Sequence, residues 1–363
     1  MSQTAPFVFS TCHQGAEQAL KAEMATQGWR LAFSRPGFVS FKSDHGGSTV
    51  SGGSTESGGE RTLPRAVFAR TASWSLGRAE ANDTVALAEQ LHSIVSSAAI
   101  APFDALHVWS RDRLPVGERG FETGPEPLTN AIAEDLYRRL AEPTWLAASP
   151  VNATVEPGAR VLDVVMTDPG KWMIGWHPAD SWPPSQWAGG FPPIDISKEV
   201  VSRAYFKAAE AILWSRLPIR PGETAVEIGS APGGAAQRML ELGLHVIGID
   251  PAEMEPEIAE HPHFTHIQAR GGDIKRTAYR DAKWLLVDSN VRPDKTLVTV
   301  ANVVQNQHVQ IEGMLLTMKL GRYDQADRIA GWCREIRGWG YTQLEVRQLA
   351  TGRCEVCIAA RKP

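Results

Sequence analysis

The chain has 363 residues, room for two domains, and its 43% hydrophobic and 21% charged residues are those of an ordinary folded protein, neither disordered nor membrane-embedded. A net charge of −4 at pH 7 excludes a nucleic-acid binder that works by bulk attraction and leaves room for a local basic face; residues 1–200 hold the acidic excess and residues 201–363 are slightly basic. No apolar run reaches spanning length, "MSQTAPFVFSTCH" lacks a basic n-region followed by an apolar one, and four scattered cysteines build no disulfide framework, so the expected compartment is the cytoplasm, with no membrane partner.

In chain order, "FVFST", "GAEQALKAEMATQG", "WRLAFS" and "GFVSFK" read as strand, helix, strand and strand. Residues 43–60, Gly/Ser-rich with Val50 as the one apolar side chain, read as a long hairpin insertion into a unit spanning 1–80. A second unit, 81–177, is expected from helices at "TVALAEQLHSIVSSAAI" and "EPLTNAIAEDLYRRLA" and strands at "ALHVWSR", "RVLDVVMT" and "KWMIGWH". Residues 178–197, dense in Pro, Gly and Trp, read as an extended connector, because proline removes a donor and fixes φ. Trp172, Trp176, Trp182 and Trp187 gather around it, and packing is a better use for them than base stacking.

From residue 198 to 363 helices alternate with strands, the pattern of a mostly parallel doubly wound α/β sheet, and the last two strands are expected to pair as an antiparallel edge hairpin. Cys354 and Cys357 are spaced like half a zinc site, but no second pair exists and their sulfurs would point to opposite faces of a strand, so no metal is expected.

The first strand of that sheet runs into "VEIGSAPGG". Ligands of doubly wound sheets sit at such strand ends. The glycines at 229, 233 and 234 do not follow the G-x-G-x-x-G spacing of a dinucleotide site, Pro232 deletes a backbone donor that a pyrophosphate would want, and no Lys-Ser/Thr pair follows as in a P-loop. Glu227, Gly229, Ser230, Ala231, Pro232, Gly233 and Gly234 would bring backbone close to a flat, uncharged ligand body. Asp250, ending the next strand, stands where a carboxylate can accept from ribose hydroxyls, and Asp273 where one can reach an adenine amino group. Such a set fits S-adenosylmethionine; equally, the glycines would make a turn and the acids cap helices.

The upstream helix carries "SRAYFKAAEAI". Together with "EIGSAPGG" it resembles the FtsJ/RrmJ-like 2′-O-ribose methyltransferases. That resemblance implies a Rossmann-like class I S-adenosylmethionine-dependent methyltransferase domain over 198–363 and a Lys-Asp-Lys-Glu tetrad. Lys207, Asp288, Lys319 and Glu355 match it in order, with Asp288 also beside the donor. More loosely, the N-terminal half resembles the RlmM type, which modifies a cytidine in large-subunit ribosomal RNA and carries a THUMP-like RNA-binding region; residues 81–177 would be that region, and the partner a 23S-type RNA. Ser230 departs from the family's small apolar residue, and the Gly/Ser insertion and acidic N-terminal half are not family features.

The residue types suit the chemistry. A ribose hydroxyl is a poor nucleophile, so it must be deprotonated and aligned with the departing sulfur. An amine serves as base only when its pKa falls, and two lysines in one pocket supply a like-charge push. The resemblance implies Lys319 as general base and Lys207 as the group that positions the hydroxyl. Arg203, Lys275, Arg276, Arg280 and Arg322 are candidate phosphate contacts. Two rival readings remain: a different methyl acceptor, and a non-enzymatic RNA-binding or ribosome-assembly protein that retains the fold.

Overall fold

The structure, a computed structural model, describes residues 7–43, 62–121, 124–140, 145–147, 150–194, 199–274 and 276–363. Apart from Ser43, the Gly/Ser-rich insertion expected at 43–60 lies outside the described residues, as does Lys275. The chain divides into two compact units, Met1–Pro193 and Ile194–Pro363.

The N-terminal unit contains β1 (Phe7–Thr11), α1 (Glu17–Thr26), β2 (Trp29–Arg35), β3 (Phe38–Ser43), β4 (Thr71–Glu80), α2 (Thr84–Ala98), β5 (Ala105–Ser110), α3 (Pro127–Leu140), β6 (Arg160–Asp168) and β7 (Lys171–Pro178). Its seven strands form one sheet in the order β2-β3-β1-β4-β7-β6-β5, antiparallel except for β5 and β6. Alternate residues of β6 serve two cores: Leu162, Val164 and Met166 pack with α2 and α3, while Val165 packs with Phe9, Phe38 and Trp109.

Two expectations change here. The division at residue 80 is not a break, because β4 lies in mid-sheet and pairs with both β1 and β7. Its inward positions include the polar residues Thr71 and Ser73, which break the apolar alternation of a strand; the Ser73 hydroxyl is buried because it donates to Asp163. The stretch expected as an extended connector at 178–197 is not extended over its described residues, 178–194, either. Residues Pro183–Gln186 and Ala188–Gly190 form 3-10 turns, and Trp187, Ala188 and Phe191 are buried. A side chain at Gly190 would meet Arg70 O at 2.4 Å, so glycine lets this segment fold flat onto the unit. Trp172 and Trp187 are likewise buried, with Trp172 Nε1 donating to Ala81 O.

The C-terminal unit contains α4 (Ala204–Ser215), β8 (Thr224–Ile228), α5 (Gly234–Glu241), β9 (His245–Ile249), α6 (Pro256–Ala259), β10 (Phe264–Ile267), β11 (Ala282–Val287), α7 (Pro293–Val304), β12 (Gly313–Lys319), α8 (Ile329–Gly338), β13 (Gln343–Arg347) and β14 (Glu355–Arg361). The sheet order is β10-β9-β8-β11-β12-β14-β13. Five strands are parallel; β14 runs antiparallel to both β12 and β13, so the terminal hairpin slots its second strand inward and leaves β13 at the edge. The order reverses between β8 and β11, where an open α/β sheet forms its ligand crevice.

Candidate active site

Four elements deliver the charged residues to that crevice. The sequence of α4, Ala-rich and free of Gly and Pro, favours a helix and places Lys207 on its first turns. Asp288 follows β11 directly, and its N–H donates to Ile228 O of β8. Lys319 ends β12 and Glu355 begins β14; the two face each other as a cross-strand pair.

The side chains close a ring in which each amine bridges both carboxylates. Lys319 Nζ donates to Asp288 Oδ1 at 2.7 Å and to Glu355 Oε2 at 2.5 Å. Lys207 Nζ pairs with Asp288 Oδ2 and, at 3.1 Å, with Glu355 Oε1. The ring is neutral in total and mostly buried: Glu355 leaves 8% of its side chain exposed and Lys319 23%. Ionic pairs removed from water this far hold together only when each charge is met, as here.

The electrostatics correct one expectation. Burial alone would depress the Lys319 amine, but Asp288 and Glu355 outweigh it and push its pKa up. Burial likewise works against the Asp288 charge, and the ammonium groups of Lys207 and Lys319 outweigh it, holding that carboxyl below its usual value. The depression anticipated for the Lys319 amine is therefore not found: the two carboxylates beside it set the direction.

The glycine turn abuts this ring. Gly229 has φ of 89°, and a Cβ there would lie 2.7 Å from Asp288 O, so glycine alone lets the end of β8 touch the end of β11. Gly234 yields its space to the start of α4 and the residue before its N-cap: a Cβ would meet Tyr205 N at 2.9 Å and Ser202 Oγ at 2.2 Å. Ser230, the departure from the family pattern, has a job. Its buried hydroxyl donates to Glu227 Oε2 at 2.8 Å. Glu227 is buried, with Asp288 and Asp250 nearby; desolvation first, then those charges, push its pKa up to about 8 despite the Ser230 bond. Asp250 closes β9, and its Oδ1 accepts from Ala252 N at 2.8 Å. Asp273 is exposed on a 3-10 turn after β10.

A cleft of about 960 Å³ opens over the ring, floored by Gly229, Ala231 and Pro232 and walled by Lys207, Asp288, Lys319 and Glu355. That volume is at the upper end of small-ligand sites. The uncharged turn and the neutral ring suit a nucleoside-sized donor that carries its own positive charge. Of the proposed phosphate contacts, Arg203 and Arg322 line the cleft, whereas Arg280 is exposed outside its lining; for Arg276 only the backbone is described. The cleft also recruits Arg292, Arg328 and Arg353, which sequence reading did not single out because they lie on three separate segments. Arg322 and Arg328 pair with Asp324 and Asp294 at the rim. Among the described residues no group of three or more His, Cys, Asp or Glu side chains is set to hold a metal ion, and no helix is long and apolar enough to cross a membrane.

Comparison with known proteins agrees with this architecture. Residues 200–317 match the family described as FtsJ-like methyltransferase. Among curated relatives, the ribosomal RNA large subunit methyltransferase M of Methylococcus capsulatus is 25% identical over 307 residues, 75% of this chain and 85% of that protein. The protein of the same name from Alkalilimnicola ehrlichii is 28% identical over 218 residues, 57% of this chain and 58% of that one. That from Teredinibacter turnerae is 30% identical over 181 residues, 46% of each. In these last two cases the chain spans about half the length of the relative it matches. Sheet order, glycine turn and family match thus converge on residues 200–317, which form an FtsJ-like methyltransferase domain that uses S-adenosylmethionine as its cofactor.

Proposed function

We propose that the protein methylates the 2′-hydroxyl of a ribose in RNA, with large-subunit ribosomal RNA of the 23S type as the substrate and a cytidine as the target, in the cytoplasm. The observation that carries this reading is the closed ring of two amines and two carboxylates beside the glycine turn. The relatives' names point to the ribosomal RNA. Bound S-adenosylmethionine supplies an activated methyl group on a positively charged sulfur, a charge that opposes protonation of nearby amines.

In the proposed mechanism Glu227 and Ser230 brace the turn from beneath, Asp250 accepts from the donor's ribose hydroxyls, and Asp273 addresses its adenine. Lys207 holds the substrate hydroxyl and stabilises the alkoxide charge as it develops. Lys319, in its neutral form, would take the hydroxyl proton as the oxygen forms its bond to the methyl carbon, and the electron pair of the carbon–sulfur bond that breaks would stay with the departing sulfur. Since the two carboxylates raise the pKa of Lys319, that amine must first give up its own proton, and the reaction should run faster as pH rises above neutral. Arg203, Arg322 and the basic stretch at 275–280 would grip phosphates. The N-terminal unit would act as a THUMP-like RNA-binding region.

The direct test incubates the protein with isotopically labelled donor and large-subunit RNA, then separates the nucleosides by mass. Label in a 2′-O-methylcytidine is the expected outcome. Label on a base, on protein or on a small molecule would replace this reading with another acceptor. Failure to bind the donor in calorimetry would favour a non-enzymatic RNA-binding protein.

A further inference from the structure

Glu210 belongs to neither the ring nor the donor turn, yet it is a fully buried carboxylate, 0% exposed, three residues beyond Lys207 on the same face of α4. Burying a carboxylate is costly unless its lone pairs are met. Here they are met from the loop between β13 and β14. Ala350 N donates to Oε1 at 2.8 Å, Thr351 N to Oε2 at 3.0 Å and Thr351 Oγ1 to Oε2 at 2.9 Å, while the buried Arg347 sits 3.7 Å from Oε1. The same loop continues into Glu355. Arg203 Nη2 donates to Thr351 O, Gln348 Nε2 to Arg353 O, and Leu320 N to Cys354 O. Glu355 is thus held at the end of a short tether whose other end is fastened to the helix that carries Lys207.

We propose that Glu210 is a positioning residue of the methyl-transfer site: it clamps the loop before β14 onto α4 and thereby sets Glu355 against both lysines. The inference rests on the methyltransferase reading for its catalytic consequence, though not for the clamp itself. With the Glu210 side chain replaced, the loop gains freedom and Glu355 is no longer fixed at 2.5 Å from Lys319. Two effects follow. The amines lose their alignment, and Lys319 loses one of the two carboxylates that raise its pKa, so its proton leaves at lower pH.

The experiment uses the full-length chain carrying Glu210→Gln, with Glu210→Asp as the conservative variant. Expected are faster amide hydrogen exchange at residues 350 and 351, a saturating methyl-transfer rate lower by about tenfold or more, and a donor Kd within about threefold of wild type. The rising limb of the rate against pH moves toward acid, and Glu210→Asp restores part of the rate. Unchanged exchange at 350 and 351 overturns the clamp. Equal losses in rate, donor affinity and thermal midpoint overturn the positioning role and leave a residue of the core. Should Glu210→Gln not fold, Thr351→Val removes one donor and must still speed exchange and slow the rate, or the proposal is wrong. A wild-type chain that transfers no methyl to RNA sinks the substrate reading, while the exchange result continues to judge the clamp.

Discussion

In the N-terminal unit Asp163 accepts from Ser73 Oγ and pairs with His177 Nδ1, both at 2.6 Å, and His177 Nε2 bonds Ser185 O at 2.8 Å; in the C-terminal unit the ring of Lys207, Asp288, Lys319 and Glu355 lies open to a cleft. Both regions set carboxylates against cations out of bulk water. The first is sealed, with Asp163 at 0% and His177 at 3% exposure, and its polar atoms point at other parts of the same sheet and turns. The second keeps a face for something else to occupy. A buried ionic cluster on its own says little about function; an open side, a neighbouring turn whose glycines leave no room for a Cβ, and converging elements distinguish a reactive cluster from a structural one.

The largest expected effect separates the two directly. Lys319→Ala should lower the saturating methyl-transfer rate by about a thousandfold, within the range for loss of a general base, while donor affinity in calorimetry stays within about threefold. Undiminished turnover would sink the assignment of Lys319.

Next comes the sealed cluster. Asp163→Asn removes the carboxylate that favours the charged imidazole and leaves buried His177 to its desolvation, and breaking a buried pair by one partner costs about 3–5 kcal/mol. The unfolding of the N-terminal unit should show this loss in urea titration. A change below about 1 kcal/mol would mean that the pair is not formed in solution.

The smallest effect is in pH. Burial drops the pKa of His107 to about 4, against the pull of Asp163. Burial also opposes the charge of His177, but the charge and hydrogen bond of Asp163, with Ser185 O and Asp180 adding, raise that pKa above the ordinary 6.5. A depressed histidine contributes stability that is lost as pH falls below 6.5 toward 4; a raised one contributes stability that is lost as pH rises above 6.5. The summed contribution of these two residues to the stability of the N-terminal unit therefore peaks near pH 6.5. Urea midpoints at about pH 5, 6.5 and 8 would reveal it, and Asp163→Asn should flatten the alkaline arm. A wild-type profile that rises steadily through this range would contradict the opposed shifts.

Much of the C-terminal unit was readable before any coordinates, because alternating strand and helix periods, the "GSAPGG" turn and four chemistry-bearing residues occur in a recognisable order. The N-terminal unit was less so. Its central strand β4 turns small polar residues inward, and its Pro/Gly/Trp stretch looks like a linker until glycines at 189 and 190 are seen folding it against Trp109 and Arg70. The role of Glu210 is hidden in the sequence for a similar reason. A glutamate in an Ala-rich helix reads as a solvated position, and the donors that bury it arrive from 140 or more residues further along.

Sequence by itself determined which residue types are available, where the regular strands and helices of the C-terminal unit lie, and that a glycine-rich turn ends the first strand of a parallel sheet, because these follow from local sterics and periodicity. Only the tertiary structure decided that two lysines meet two carboxylates in one neutral ring, that Lys319 is held more strongly protonated rather than less, and that a buried glutamate ties the β13–β14 loop in place. Those outcomes depend on distances between segments far apart in the chain, and the sign of a pKa shift depends on which charge stands nearest.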